Sequence, residues 1–338
     1  MKSVIHSWKT PIVFISESHS PFVNLSFEDY LFRNHVSTVL LLLYRNDRSI
    51  IIGRNQNPWI EVDLKYMNER KITLVRRQSG GGAVFHDLGN TNYCLMTSRL
   101  SFDRKKTLQM VVDALHLAGR FVSMNKRYDL VFGSDMLKVS GSAFKISKDR
   151  AYQHGTMLLN TDLTSLKSLL TNLNLSIDAK GVQSISSAVG NLGLSHEDFC
   201  RHLCSIFQDK YNSGKPIPIH RVSYEDICSI DSVQDRILEM KHWSWVYGQT
   251  PEFTNRLAHT FTWGCVNVYI VCRRGLFFHI QVESNTELPF VFEEIYHELI
   301  GRRYVADEIY SFLYTIETSP GIKKELIQFL EWLAKRPI

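Results

Sequence analysis

"RRQSGGGAVFHD", residues 76 to 87, follows the apolar run "ITLV" and leads into another strand-like stretch. Three glycines in a row let the main chain approach a ligand closely, adopt positive φ and offer N–H groups to an oxyanion that a β-carbon would hold off. Arg76 and Arg77 add permanent charge and forked donors suited to phosphate or carboxylate. The stretch reads as an anion-binding loop, with a tight β-turn and two solvent-facing arginines as the plain alternative. A Walker loop needs Gly-Lys-Ser/Thr after its glycines, and a dinucleotide fingerprint runs into a helix; "AVFHD" offers neither, which excludes both nucleotide folds.

Outward from the loop, short β-rich runs dominate the first 160 residues: "TVLLLLY", "SIIIG", "ITLVRR", "GGAVFH", "NYCLMT", "YDLVF", "MLKVSGSAF" and "HGTMLLN". Helical periodicity interrupts them at 61–70, at 107–118 (Leu108, Val111, Val112, Leu115, with Gly119 as a stop) and at 162–170. Adjacent strands lie too close together for repeated crossover helices, so the fold class is α+β with a mixed sheet, not doubly wound. Residues 171–195 are rich in Ser, Asn and Gly and read as a long loop, after which Ser195 and Asp198 start a helix toward Tyr211. "HWSWVYGQTPEF" (242–253) marks a domain boundary near residue 250, giving domains 1–250 and 251–338. Beyond it a hairpin turns at "CRRG", and a last helix carries Ile322, Leu326, Phe329, Leu330 and Leu333 at helical spacing.

With 338 residues, 44% hydrophobic and 22% charged, the chain is long enough for one large core and a satellite domain. No apolar run reaches the ~20 residues of a membrane span, so no membrane partner is expected. The net charge of +5 favours an acidic partner without naming it. Six scattered cysteines show no metal-clasping spacing, so neither a structural metal nor a disulfide is expected. "MKSVIHSWKTPIVFIS" (1–16) contains lysines and serines but no acid, compatible with the remnant of a mitochondrial targeting segment or with a plain first strand.

Further stretches carry chemistry. In "LKVSGSAFK" (137–145), Lys138 sits in an apolar strand before the small-residue turn Ser140-Gly141-Ser142, where an ammonium reaches a ligand or simply lines an edge strand. "YQHGTMLLN" places His154 and Gly155 inside a strand, as a satisfied core histidine or a pocket wall. Gly89-Asn90 is a hairpin turn signal. "IGRNQNPW" (52–59) reads as a strand end, a proline turn and a buried tryptophan.

Together and in this order, "IGRNQNPWIE", "RRQSGGGAVFHDLGNTN", "YDLVF", "LKVSGSAFK", "DRAYQHGTMLLN" and "AKGVQSI" resemble the lipoate–protein ligase A and lipoyltransferase family of the biotin/lipoate ligase superfamily. The resemblance runs from about residue 12 onward. It implies a large mixed-sheet catalytic domain with flanking helices and a small α+β C-terminal accessory domain. It also implies that lipoate and ATP give lipoyl-adenylate, which a lysine of a lipoyl domain then attacks. On that resemblance Lys138 holds the carboxylate and α-phosphate, and the binding set is Arg76, Arg77, Ser79, Gly80, Gly81, Gly82, Ala83, Val84, Phe85, Asn90, Asp129, Ser140, Gly141, His154 and Gly155. It further implies Mg²⁺ with unassigned ligands, and as partners the lipoyl domains of 2-oxoacid dehydrogenase acyltransferase subunits and the glycine-cleavage carrier protein. A monomer is expected, in the mitochondrial matrix if the source is eukaryotic and otherwise in the bacterial cytoplasm. An apolar tunnel near Val84 and Phe85 suits the lipoyl chain.

One departure stands out: "SISSAVGNL" (184–192) has Ser186 and Ala188 where bacterial ligases often carry arginines. A lipoyltransferase that uses preformed lipoyl-adenylate or an acyl thioester is therefore the second reading. An octanoyltransferase working through Cys94 is a third. Outside this class, "NKRYDL", "CRRG" and "GRRY" mix basic and aromatic residues as nucleic-acid binders do, but no binding module surrounds them, so no nucleic-acid partner is expected.

Overall fold

Four consecutive leucines, Leu40 to Leu43, bury on alternate sides, because successive side chains of a strand point to opposite faces. Leu41 and Leu43 pack with Leu108, Val111 and Leu115 of the helix Arg104–Leu117 and with Phe199, Leu203 and Phe207 of the helix His196–Asn212. Leu40 and Leu42 pack with Phe27 and Leu31 of α1 (Pro21–Asn34). A sheet covered on both faces needs such unbroken apolar strands.

The computed structural model describes residues 10–34, 39–170, 176–285, 295, 297–317 and 324–336. The strands in chain order are β1 (Ile12–Ser16), β2 (Leu40–Arg45), β3 (Ser49–Ile52), β4 (Thr73–Arg76), β5 (Val84–His86), β6 (Asn90–Ser98), β7 (Val122–Met124), β8 (Leu130–Phe132), β9 (Leu137–Ser140), β10 (Ser142–Ile146), β11 (Arg150–Leu158), β12 (Ile177–Ala179), β13 (Ile219–Val222), β14 (Phe253–Phe261), β15 (Gly264–Arg273) and β16 (Leu276–Ser284). Among the described residues they form a six-stranded sheet, β10-β11-β6-β2-β1-β13, a four-stranded one, β12-β14-β15-β16, and two of three strands, β4-β3-β5 and β7-β8-β9. The large sheet is mixed: β1 runs parallel to β2 and β13, and the remaining pairs are antiparallel. The expected α+β class with a large mixed sheet is the fold observed.

The described chain divides into two compact units. The first gathers residues 1–54, 72–167 and 184–242, and the second 55–71, 168–183 and 243–338. In the second, Asn57 caps a short helix by accepting from Trp59 N at 3.0 Å, with Pro58 at the first helical position. Trp59 then packs against Trp243, Tyr247, Phe253 and Tyr304. The β15–β16 hairpin turns at Arg274 and Gly275, φ 53° and 70°, the left-handed pair of a two-residue loop. Leu326, Phe329, Leu330 and Leu333 are buried on the helix Lys324–Ala334 as their spacing predicts, while Ile322 lies outside the described residues.

In the first unit Ser195 caps its helix by accepting from Asp198 N at 3.0 Å. "IVFIS" is β1, and residues 1–9 of the targeting reading lie outside the described residues. Ser140-Gly141-Ser142 makes no turn. The chain passes through Gly141 from β9, in a small sheet, straight into β10, at the edge of the large one.

Candidate active site

The glycine loop joins β4 to β5, and both strands flank β3. Ile52 of β3 pairs with Arg76, running parallel, and Ile51 with Val84, running antiparallel. Residues 77–83 therefore arch across the carboxyl end of β3, directly over Gly53. A β-carbon at Gly53 would stand 2.1 Å from Gly81 O, so only glycine passes under the arch. Gly81 itself takes φ +87°.

Both arginines are buried, so neither is the solvent-facing arginine of the plain tight-turn reading. Arg76 is fully buried, its Nη1 donating to Gly53 O and Arg54 O at 3.2 and 2.9 Å. Arg77, 5% exposed, donates through Nε to Ser79 Oγ (2.9 Å), through Nη1 to Ile51 O (3.1 Å) and through Nη2 to Gly80 O (2.6 Å) and Gly82 O (2.8 Å). Four of its five N–H donors are spent on the protein. Burial lowers its pKa to about 10, a cost opposed by the charge of Glu28.

This inward pull fixes what the loop shows outward. The peptide unit is planar and trans, so a carbonyl tied to Arg77 sends the next N–H the opposite way. With Gly80 O and Gly82 O held, the amides of Gly81 and Ala83 are turned away from the guanidinium. Ala83 N indeed donates to Ser184 Oγ at 2.9 Å.

Lys138 on β9 pairs through Nζ with Asp129 Oδ1 at 2.9 Å. The bare Gly141 leaves room for that ammonium: a β-carbon there would lie 3.1 Å from Nζ. Segment 186–190 is sewn to Lys138 by backbone, Lys138 N donating to Ala188 O (2.9 Å) and Gly190 N to Lys138 O (3.1 Å). At the position of the missing arginine, it is the main chain of residue 188 that meets the lysine. Ser140, beside Lys138, lies 3.4 Å from Tyr93 Oη through its hydroxyl.

His154 joins the loop to the large sheet. Its Nε2 lies 2.7 Å from Ser79 Oγ and its Nδ1 2.9 Å from Glu28 Oε1 on α1. Tyr44 donates to Glu28 Oε2 at 3.2 Å. Its neighbour Gly155 pairs with Tyr93 across β11 and β6. Ala143 of β10, opposite His154, brings its Cβ within 3.4 Å of the place a Gly81 side chain would fill, so β10 abuts the loop. Phe85 is buried on β5 and Val84 half-buried beside it. Asn90 is buried at the start of β6, its Nδ2 donating to Asn92 Oδ1 at 3.2 Å. Sequence reading missed Gly53, Glu28, Tyr44 and Ser184; a glutamate in the apolar run "LSFEDYLF" was the available signal for Glu28.

Cys94 is fully buried, and burial together with the nearby Glu28 charge pushes its thiol well above the ordinary range, which leaves no thiolate for an acyl-enzyme. His86 is held neutral: burial, then Arg77 and His154, lower its pKa to about 3. Asn46 Nδ2 donates to its Nδ1 at 2.9 Å. The unfolded chain binds this proton near the ordinary 6.5, so the contribution is full above pH 6.5 and lost as pH falls toward 3. The slope reaches about 1.4 kcal/mol per pH unit. His196, lowered to about 4 by burial, adds to the upper part of that window. The urea midpoint is expected to fall between pH 7 and pH 5, and His86→Gln to narrow the gap; an unchanged gap would count against the assignment.

A glycine loop that turns backbone amides outward, and a lysine held by an aspartate on the small antiparallel sheet β7-β8-β9, are equipment suited to acyl transfer, in which negative charge grows on oxygen. Residues 20–208 match the family model described as the lipoyl protein ligase A/B catalytic domain, and residues 250–333 that of the bacterial lipoate protein ligase C-terminus. Lipoate-protein ligase A of Bdellovibrio bacteriovorus is 34% identical over 332 residues, covering 96% of this chain and 97% of that one. The crystal structure of P. falciparum LipL1 in complex with lipoate is similar at a TM-score of 0.63 and 26% identity, covering 96% of this chain and 99% of that chain. A lipoate-protein ligase A bound with ATP shares the fold at 24% identity and a TM-score of 0.54, over 69% of this chain and 94% of its own. The chain belongs to the lipoate-protein ligase A family. It is an enzyme that ligates lipoate to protein, and the nucleic-acid reading falls away.

Proposed function

We propose that the enzyme works in two steps at the Gly81–Ala83 loop and Lys138. A lipoate carboxylate oxygen attacks the α-phosphorus of ATP, pyrophosphate leaves, and the mixed anhydride stays bound as lipoyl-adenylate. The ε-amine of an acceptor lysine then attacks the acyl carbon, AMP leaves, and an amide forms. The observation that carries this reading is the pair of fixed positive ends: two loop amides turned away from Arg77, and an ammonium held by Asp129. Preorganised donors of this kind stabilise growing oxyanion charge by on the order of 3 kcal/mol each.

In this proposal Lys138 touches the carboxylate and α-phosphate, the amides of Gly81 and Ala83 take phosphate oxygens once Ser184 withdraws, and Arg76, Arg77, Ser79 and His154 support the loop from behind. Val84 and Phe85 wall the acyl chain. Catalysis belongs to residues 1–250 and an accessory role to 251–338. Among the described residues no three His, Cys, Asp or Glu side chains gather as a metal cage. Mg²⁺ would arrive on the ATP phosphates, as this ion usually does, and no step is assigned to a protein-held ion. The acceptors are lipoyl domains of 2-oxoacid dehydrogenase acyltransferase subunits and of the glycine-cleavage carrier protein, served in the mitochondrial matrix if the source is eukaryotic and otherwise in the bacterial cytoplasm.

The test is mass spectrometry of an apo lipoyl domain incubated with enzyme and lipoate, with and without ATP. One lysine modified only when ATP is present supports the ligase. Modification only from supplied lipoyl-adenylate would move the enzyme to the transferase reading.

A further inference from the structure

We infer that Glu28 is a positioning residue for the glycine loop, acting through a buried wire of hydrogen bonds that ends at the Arg77 guanidinium. The inference rests on the proposed use of the loop amides. The wire runs from the middle of α1 to the arch: Glu28 Oε1 to His154 Nδ1, 2.9 Å; His154 Nε2 to Ser79 Oγ, 2.7 Å; Ser79 Oγ to Arg77 Nε, 2.9 Å. Glu28, Ser79, His154 and Arg77 are each less than a tenth exposed.

The proton placement follows from the partners. Glu28 already accepts from Tyr44 and is an acceptor at both oxygens when ionised, so His154 donates from Nδ1. In the neutral imidazole Nε2 is then the acceptor, and the Ser79 hydroxyl donates to it. The Ser79 oxygen in turn accepts from Arg77 Nε. Every donation runs in one direction, from the guanidinium toward the carboxylate.

The order serine, histidine, acid is also that of a nucleophilic triad. Here it cannot attack a substrate, since Ser79 is 1% exposed and its oxygen is engaged by Arg77. Instead the wire brings a carboxylate charge to the far side of a buried cation. A guanidinium in that setting needs a compensating charge, and rotating it would release the Gly80 and Gly82 carbonyls. Glu28 thereby governs the two outward amides without meeting the ligand.

The experiment compares Glu28→Gln, Ser79→Ala and the double variant in the full-length enzyme. Four quantities are read: kcat and KM for lipoate in pyrophosphate release, melting temperature, and the low-field proton NMR signal of the His154 Nδ1–H. Glu28→Gln keeps shape and an accepting oxygen while removing charge. Each single change is expected to lower kcat by about tenfold to a hundredfold, with the KM for lipoate unmoved. The double variant should be no slower than the worse single, because one wire is cut twice. The low-field proton should be present in the wild type and lost in Glu28→Gln. Wild-type kcat in Glu28→Gln, multiplying losses, or no low-field proton in the wild type would each overturn the inference. A wild type that releases no pyrophosphate at all would instead count against the ligase mechanism, and the proton signal would still judge the wire.

Discussion

Replacing Lys138 by alanine is expected to slow both lipoyl-adenylate formation and transfer to the acceptor by about a hundredfold to a thousandfold, the scale of losing one preorganised oxyanion donor. The physical reason is the same in both steps. A carboxylate and a triphosphate must meet despite their repulsion, and charge then gathers on oxygen as the acyl carbon is attacked. The Lys138 ammonium has three N–H donors. One faces Asp129 at 2.9 Å, leaving two for a ligand over the bare Gly141. Lys138→Arg should restore less than a tenth of the loss, because the planar guanidinium fork does not replace a compact charge. Pyrophosphate release and lipoyl transfer from synthetic lipoyl-adenylate, measured separately, check both halves. Full-rate adenylate formation in Lys138→Ala would remove the ammonium from the chemistry.

The second large effect is expected at a residue that touches no ligand. Gly53→Ala places a methyl 2.1 Å from Gly81 O and in tight van der Waals contact with the Gly80 and Gly81 carbonyl carbons, 3.2 and 3.1 Å away. All three atoms are backbone, so no rotamer change relieves the contact and the arch itself must rise. Overpacking of this kind costs about 1–3 kcal/mol of stability. A shift of an ångström in the reacting geometry costs on the order of a hundredfold in rate. The expected result is thus a modestly destabilised enzyme with a disproportionate loss of kcat, seen by comparing denaturant midpoint with pyrophosphate release. Loss of stability and rate in equal measure would mean that the arch adapts.

How much of this was legible in the sequence depends on the distance between partners. "RRQSGGGAVFHD" read as a loop needing close backbone approach because glycine chemistry is local, and the arch takes that form, with positive φ at Gly81. Ser195 with Asp198, and the "CRRG" hairpin, were readable for the same reason. The direction of Arg77 was not, since it is decided by Ile51 O and by loop carbonyls that only the folded arch brings together. Glu28 lies 126 residues from the histidine it orients, and no periodicity reports such a pairing. The two serine–glycine stretches divide in the same way. Ser140-Gly141-Ser142 has turn composition, yet the chain runs straight through it, because β9 and β10 belong to different sheets.

An arch braced from behind by Arg77 has a practical corollary. Its outer surface is main chain, which evolution and the engineer cannot rewrite one side chain at a time. If the loop grips the anionic head as proposed, that recognition is hard-wired, while the choice of acyl tail would rest with replaceable walls such as Val84. Altered chain-length preference should be reachable there without disturbing how the head group is gripped.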